Sequence, residues 1–501
     1  MQWYIICRIM KADLLERTRR FSFVVLCAAV MFLTFFSVPN PKAPFVSICI
    51  EPDVFLQGSN PSWIPIAIAL CGGILFPIIG FGFVRNNVDS DRKKGVLCCL
   101  QSMGMNKRSY VMGKFLSNLL ILSIVWFLSI LSAFVMIKLS FPYQRLAGYD
   151  FWSPFLGMYP SIVFASVFAL LTEITLLRGG RGNWAGMVFL FAVFLINYSF
   201  VGSDSLLLRL LDLNNYRWLM ESINQAVESV MAEPVKEMGI LVPADMLEIG
   251  GGNSELWFHG LPENIQYVGE KIVFIMLCIF SAVTGSRFLE SGEDESKSLF
   301  QERKQREKRS LNFRFTNRFV SEFLIMTRDF PRALFLLTAV LWIYGFAAPL
   351  QYTQGYLWIL ILIFTVSFFS QIGCREYEHG LKEYFSVIGS FTIRQMIYSY
   401  VWGVLILLFI SVPVITGCLR IQKYFYAFCY AVFCFFIPSL SCFCGEYSQS
   451  KRAFETVYLL ICFLLMNLPL FWLRTELIVM MAGSSLFFLI AALLKRIWDV
   501  P

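Results

Sequence analysis

The sequence predicts an all-α, polytopic membrane protein with about twelve transmembrane helices arranged as a tandem 6+6 repeat with pseudo-twofold symmetry. Three observations support this. Of the 501 residues, 57% are hydrophobic and 15% are charged, whereas a soluble domain carries about 25% charged residues. The apolar residues form runs as long as a bilayer-spanning helix, which needs about 20 residues. A polar segment between two such runs recurs in the second half of the chain.

The apolar runs define the predicted spans and, with the basic residues, their orientation. With a cytosolic N-terminus, 32 of the 42 Lys and Arg residues fall on the cytosolic side. The positive-inside rule therefore places both termini in the cytosol. This bias accounts for the net charge of +8 without a nucleic-acid partner. The runs lie at about 21–39, 63–84, 114–139, 153–177, 184–202, 269–287, 333–350, 355–373, 396–418, 424–444, 453–472 and 475–494.

The polar segments between these runs set the domain organisation. Residues 1–20 mix basic and apolar positions, which favours an amphipathic elbow helix lying in the membrane interface. No small-residue cleavage site follows them, so they are not read as a secretory signal. The predicted domains are a first six-helix permease unit at 1–287 with an extracellular insertion at 203–268, a charged cytosolic linker at 288–315, and a second six-helix unit at 316–501.

The insertion at 203–268 is acidic and departs from the apolar pattern. Tyr216 to Glu237 is predicted to be helical, and a GGGN turn follows at 250–253. Two interpretations remain open for this segment. It is either a solvated extracellular cap or a lid that contacts the substrate.

Cysteine and histidine usage gives no indication of a metal site. Most of the 14 Cys residues lie in apolar runs or in cytosolic segments, where they stay reduced and behave as small hydrophobic residues. No CxxC pair or Cys/His cluster has metal-ligand spacing, and the chain has only two His residues. We therefore expect no metal and no cofactor bound by this chain. The apolar runs also lack convergent acids or a Ser/His pair, so an enzyme is not predicted.

The recurring polar segment is DRKKGVLCCLQSMGMNKRSYVMGK at 91–114 and REYEHGLKEYFSVIGSFTIRQMIY at 375–398. In the first copy Leu97, Leu100 and Met103 are expected on one side of a short helix that suits a groove on another protein. Glycines at its two ends allow the chain to turn. Asp91, Gly95 and Gly104 match Glu376, Gly380 and Gly389 at a constant offset, and Arg108 matches Arg394 after a slip of one residue.

These segments resemble the first cytosolic loop of type-2 ABC exporter permeases. The first copy has the acidic-Arg pair Asp91–Arg92, then Gly95, and later Lys114 at the start of the next span. Val96 and Leu381 stand where the family has Thr, and Tyr377 where it has Arg. In that family the loop is a coupling helix that docks into a groove on a cytosolic ATPase subunit. Two six-span units there face each other around the substrate path, and this chain is expected to supply both.

The resemblance implies a division of labour between two polypeptides. The chain has no GxxxxGK[ST] phosphate loop, so ATP and Mg are expected in a separate ABC ATPase subunit, present in two copies. The implied function is export of an amphipathic peptide, lipid or drug-like cargo across a bacterial cytoplasmic membrane, in contact with membrane lipid. The implied coupling residues are Asp91, Arg92, Gly95, Leu97, Leu100, Gly104, Arg108, Glu376, Gly380, Phe385, Gly389 and Arg394.

Two polar side chains stand out near the ends of the apolar runs, where ionisable residues are candidates for function. Glu173 lies close to the cytosolic end of its run and is expected to pair with Arg178 at the interface, in preference to a substrate or proton site. Gln371 is expected to help the chain turn into the second polar segment. Two alternatives to the exporter remain: a secondary transporter, and a non-transporting sensor or immunity protein that needs no ATPase.

Overall fold

The computed structural model describes residues 2–38, 45–85, 87–174, 252–289, 318–328, 330, 332–378, 390–467 and 473–498, and shorter stretches at 186, 189–190, 193, 209, 212–213, 215–231, 233–236 and 238–243. The chain divides into two compact units. Unit 1 comprises residues 1–19 and 27–311, and unit 2 comprises residues 20–26 and 312–501. Most of the predicted linker at 288–315 lies outside the described residues.

Unit 1 is built mainly from helices that follow the apolar pattern. The first two meet at an angle of 77°, where the mixed N-terminal segment gives way to the first apolar run. Helix α2 (Phe21–Ser37) is divided between the two units, since its residues 21–26 are assigned to unit 2 and the rest to unit 1. The other described helices of unit 1 are α1 (Gln2–Thr18), α3 (Trp63–Val84), α4 (Asn87–Lys93), α5 (Val96–Ser102), α6 (Lys107–Ser140), α7 (Gly148–Ile174), α8 (Tyr216–Glu228) and α9 (Ile265–Gly285).

Helices α3, α6 and α7 form the centre of unit 1. The start of α6 is fixed by Asn106, whose side chain accepts a hydrogen bond from the backbone N–H of Arg108 at 3.0 Å, as an N-cap residue does. Gly80 allows α3 to approach α6 closely, because a Cβ there would lie 2.8 Å from Leu122 Cδ2. Phe155 on α7 is completely buried. This packed helix layer is the frame for the polar loop between α3 and α6.

A small antiparallel sheet joins two segments of unit 1 that are distant in sequence. Its strands are β1 (Phe45–Ile50) and β2 (Met238–Pro243), paired so that Ile50 lies opposite Met238. These strands are not predicted from the sequence. The described part of the chain is therefore predominantly α-helical, with one two-stranded sheet.

The start of helix α8 is held by hydrogen bonds. The carboxylate of Asp212, four residues before the first residue of α8, accepts the backbone N–H groups of Tyr216 and Arg217 at 3.0 and 3.1 Å. Burial raises the pKa of Asp212, and the nearby Lys271 ammonium and these two N–H groups oppose the rise. The helix ends at Glu228, earlier than the predicted end at 237. Residues 250 and 251 of the predicted GGGN turn lie outside the described residues.

Unit 2 has its own series of helices. A turn of helix at Leu350–Tyr352 and a π-helical turn at Thr353–Leu357 precede the third of them. The described helices of unit 2 are α10 (Arg318–Arg328), α11 (Arg332–Ala347), α12 (Trp358–Phe369), α13 (Arg375–Glu378), α14 (Ser390–Arg420), α15 (Tyr424–Ser448), α16 (Lys451–Asn467) and α17 (Thr475–Trp498).

Helix α15 is the central helix of unit 2 and packs against both α14 and α17. The chain leaving α12 passes so close to α15 that only glycines fit at the crossing. Gly373 has φ +81°, and a Cβ there would lie 3.0 Å from Cys442 Cα. A Cβ on Gly445 would lie 2.6 Å from the carbonyl carbon of Gly373. This close approach places the start of the second polar loop directly beside the end of α15.

The described helices are those of a multi-pass membrane protein. Six of them are long and apolar enough to cross a membrane. The number of candidate spans rises to eight if each of two bent helix pairs is counted as one span. Two shorter apolar helices, Leu334–Ala347 and Thr353–Phe369, lie in unit 2. The predicted run at 184–202 lies almost entirely outside the described residues. Twelve spans, the repeat and cytosolic termini therefore stay predictions.

Candidate functional site: two polar loops anchored by buried ion pairs

The first candidate is the polar loop between α3 and α6, residues 85–106, which we call loop 1. It contains the short helices α4 and α5, joined and ended by Gly95 and Gly104. Both glycines have left-handed backbones, with φ of +72° and +78°, a region that favours glycine. A Cβ at either position would have no atom within 4 Å. The two glycines are therefore needed for backbone direction and not for space.

Glu173, at the end of α7, fixes the start of loop 1. Its side chain is 5% exposed. Its carboxylate accepts the backbone N–H groups of Val88 at 2.7 Å and Asn87 at 3.2 Å. A carboxylate at this position satisfies free N–H groups of α4 and interacts favourably with the positive end of the helix dipole. Its predicted partner, Arg178, lies outside the described residues. Glu173 thus ties loop 1 to α7.

Asp91 and Arg92, the acidic-Arg pair of the resemblance, make contacts within unit 1. Asp91 lies 2.7 Å from Lys114 Nζ and accepts a hydrogen bond of 2.7 Å from the Tyr110 hydroxyl, both on α6. Arg92 pairs with Asp89 one turn earlier at 3.1 Å. Asp91 therefore connects α4 to the beginning of α6.

The same lysine connects loop 1 to the N-terminal helix. Asp13 on α1 lies 2.8 Å from Lys114 Nζ and 2.9 Å from an Arg17 nitrogen. It also accepts hydrogen bonds from the Ser117 hydroxyl at 2.5 Å and the Asn87 amide at 3.1 Å. Asp13, Arg17 and Lys114 are each less than 5% exposed. Buried charges require such pairing, so α1, α4 and α6 are held together by one ionic cluster.

Helix α5 places its apolar side chains differently from the sequence-based expectation. Leu97 is completely buried, and Leu100 packs against the same core. Both therefore stabilise the loop and do not face outwards. The outward face carries Val96, Cys99 and Met103, of which Met103 is 80% exposed. This exposed stripe, which we call the α5 face, has the spacing of one side of a helix.

Exposed basic residues flank the α5 face. Lys94 precedes α5, and Arg108 lies in the first turn of α6. An apolar stripe with a positively charged border suits a protein surface with an apolar groove and an acidic rim. Loop 1 is thus rigidly held on its inner side and chemically suited for docking on its outer side.

The second candidate is the loop between α12 and α14, residues 370–389, which we call loop 2. The described part is a turn at 370–374 followed by α13. Gly380, Phe385 and Gly389, three of the predicted coupling residues, lie outside the described residues. Arg394 is exposed in α14. Gln371 lies in the turn after α12, where the sequence analysis expects it.

Loop 2 is anchored at its beginning by ion pairs. Arg375 pairs with Glu322 on α10, and Glu322 also accepts the Ser399 hydroxyl of α14 at 2.6 Å. Glu376 pairs with Arg496, which lies near the end of α17. The glutamates therefore link loop 2 to three helices of unit 2.

A second carboxylate shares Arg496. Glu446, 1% exposed at the end of α15, lies 3.0 Å from an Arg496 nitrogen and accepts the Tyr377 hydroxyl at 2.8 Å. Lys495 donates to the backbone carbonyl of Glu446 at 2.7 Å. These contacts bring the loop, α15 and α17 together at one point.

The two clusters have corresponding members. In each unit, an acid on the short first helix accepts a serine hydroxyl from the long helix after the loop: Ser117 to Asp13 and Ser399 to Glu322. In each unit, a buried glutamate at the end of the next helix, α7 or α15, contacts the loop. Glu173 is recognisable from the sequence as a candidate, whereas Asp13, Glu322, Glu446 and Arg496 are not. In the sequence each of these residues is only an isolated charge near an apolar run, which is a weak indication of function.

One small cavity borders the ion pairs of loop 2. A cavity of about 10 Å³ beside Arg375, Glu376 and Ser399 has the volume of about one water molecule. Among the described residues, no group of three or more His, Cys, Asp or Glu side chains is placed to hold a metal. The ion pairs hold the two loops against the helices.

No protein-family model, no curated protein and no solved structure matches the chain.

Proposed function

We propose that this chain is the transmembrane subunit of an ATP-binding cassette exporter. Loops 1 and 2 dock onto separate ATPase subunits, which bind ATP and Mg and hydrolyse the nucleotide. The cargo is amphipathic, and the chain itself carries no enzymatic activity. The proposal includes twelve spans in two six-helix units with both termini in the cytosol.

The α5 face is the observation that carries this proposal. A docking element that transmits force must be firmly attached to the membrane helices and still present a free surface. Loop 1 meets both requirements: Glu173 and Asp91 hold α4, Leu97 holds α5, and Val96 and Met103 remain exposed. An apolar stripe left in water without a partner is unfavourable by about 25 cal/mol per Å².

The order of elements in the two units supports the two-unit arrangement. Each contains a short helix with a buried acid, an apolar helix, a second apolar segment, an anchored polar loop, and then two long helices. The corresponding Ser–acid contacts and buried glutamates add to this similarity. Two such units in one chain suit a transporter with two ATPase subunits.

The proposal is tested by co-purification of an ABC ATPase with the chain in detergent. We expect the wild-type chain to retain the ATPase, and the double variant Val96→Asp/Met103→Asp to lose it, because charges on the α5 face disrupt apolar docking. Tyr143→Asp is the matched control, since Tyr143 is 97% exposed at the other end of α6. Absence of any ABC ATPase from the wild-type preparation would contradict the proposal, as would retention by the double variant.

A further inference from the structure

Arg496 occupies an unusual position in unit 2. It belongs to the last turn of α17, yet its guanidinium pairs with Glu376 of loop 2 and with Glu446 of α15. The residue is 6% exposed. One buried cation is therefore shared by two carboxylates from different elements.

The contacts of Arg496 and its neighbours connect α13 to two helices. A guanidinium donates from several nitrogens in a fixed plane, so it can hold two carboxylates at defined positions. Tyr377, the loop residue next to Glu376, donates to the other oxygen of Glu446. Lys495 holds the end of α15 through a backbone carbonyl. Helix α13 is therefore tied to both α15 and α17.

Loop 1 is anchored by other means. Its acid, Asp91, pairs with Lys114 on the helix that directly follows the loop, and Lys114 leads on to Asp13 at the N-terminal helix. In loop 2 the corresponding acid, Glu376, pairs with Arg496 in the last turn of α17. The two loops are thus connected to different sets of helices.

We infer that Arg496 is a positioning residue for loop 2, and that the end of α17 belongs to the mechanism that transmits loop movement into the membrane helices. The inference rests on the proposed function for its role in coupling, whereas the anchoring itself stands on the contacts alone. It assigns the last turn of α17 a part in coupling, and it means that the two loops act on different sets of helices.

The anchoring is tested by hydrogen exchange on the purified chain. In Arg496→Gln, the backbone amides of residues 375–378 should exchange about tenfold faster, as expected for loss of a charge-assisted contact. Exchange in 87–93 should stay unchanged. Arg420→Gln is the matched control, because Arg420 is an exposed arginine of unit 2. Glu376→Gln removes one partner and keeps the Arg496–Glu446 pair, so it provides a second test if Arg496→Gln fails to fold.

The coupling role is tested by comparing the ATP hydrolysis rate of the ATPase alone with its rate in complex with the chain in detergent, where the wild-type chain should stimulate hydrolysis. We expect Arg496→Gln to reduce this stimulation and Arg496→Lys to restore part of it, with ATPase binding through loop 1 retained. Unchanged exchange at 375–378 in both Arg496→Gln and Glu376→Gln would overturn the anchoring. Faster exchange with full stimulation would overturn the coupling role. If no ATPase co-purifies with the wild-type chain, the proposed function and the coupling role both fail, while the exchange experiment still decides the anchoring.

Discussion

Asp13 is the residue whose replacement tests the ionic cluster of unit 1 most directly. Asparagine has nearly the same shape but no charge, so Asp13→Asn leaves the buried Arg17 and Lys114 with less compensation. Removing one partner of a buried ion pair costs about 3–5 kcal/mol. Because Asp91 still lies 2.7 Å from Lys114, we expect the lower value, about 3 kcal/mol of unfolding free energy.

The chain offers a matched control on the same helix. Glu16 on α1 also pairs with loop 1, through Lys94, but at 3.5 Å and with side chains that are 49% and 55% exposed. Exposed pairs are screened by water and contribute about 0–1 kcal/mol. Glu16→Gln should therefore change the unfolding free energy by less than about 0.5 kcal/mol.

A double-mutant cycle separates the ion pair from other effects of each substitution. Lys114→Met keeps the length and apolar stem of the lysine and removes its charge. If Asp13 and Lys114 interact, the double variant should be more stable than the sum of the single losses predicts, by about 1.5–3 kcal/mol. Denaturant unfolding in detergent, followed by tryptophan fluorescence, measures all four proteins. Additive losses, or a loss in Asp13→Asn no larger than in Glu16→Gln, would refute the reasoning.

Three further substitutions test loop 1. Gly95→Ala should lower the unfolding free energy by about 1 kcal/mol, because the φ of Gly95 is +72° and an L-residue is strained there. Gly148→Ala is the control, since Gly148 is also in open space but has no left-handed backbone. Equal losses of unfolding free energy in the two variants would contradict the explanation. Leu97→Ala should lower the unfolding free energy by about 2–5 kcal/mol, because Leu97 is buried. Met103→Ala should change the unfolding free energy by less than about 0.5 kcal/mol. A larger loss in Met103→Ala than in Leu97→Ala would show that the α5 face is assigned to the wrong side of the helix. Glu173→Gln should speed hydrogen exchange in residues 87–93 without affecting 375–378, and unchanged exchange in 87–93 would show that the cap does not hold α4.

Local composition was sufficient to predict a helical multi-pass membrane protein, because a long apolar run has few alternatives in a bilayer. The side of α5 that faces inwards could not be obtained in this way. Leu97 and Leu100 form one apolar side of the helix, and Val96 and Met103 form another. Only packing against α6 and α7 decides which is buried.

The ion pairs that anchor the two loops could not be predicted from the sequence for a different reason. Asp13 and Lys114, or Glu376 and Arg496, are distant in sequence, and each is an ordinary charge near the end of an apolar run. Their partners are determined by how the helices cross, which a single sequence does not reveal. Glu173 could be identified because it is an isolated acid near the end of a run, but its role as a helix cap depends on the position of α4.

The pairing of β1 with β2 has a consequence for biosynthesis. Ile50 lies opposite Met238, so β1 has no partner until most of unit 1 has been synthesised. At the usual rate of 5–20 residues per second, this delay lasts about 10–40 s. Throughout that time the apolar strand FVSICI exposes unpaired N–H and C=O groups, which invite pairing with other chains. Until Met238 has been synthesised, the nascent chain therefore carries an unpaired strand that can associate with other chains.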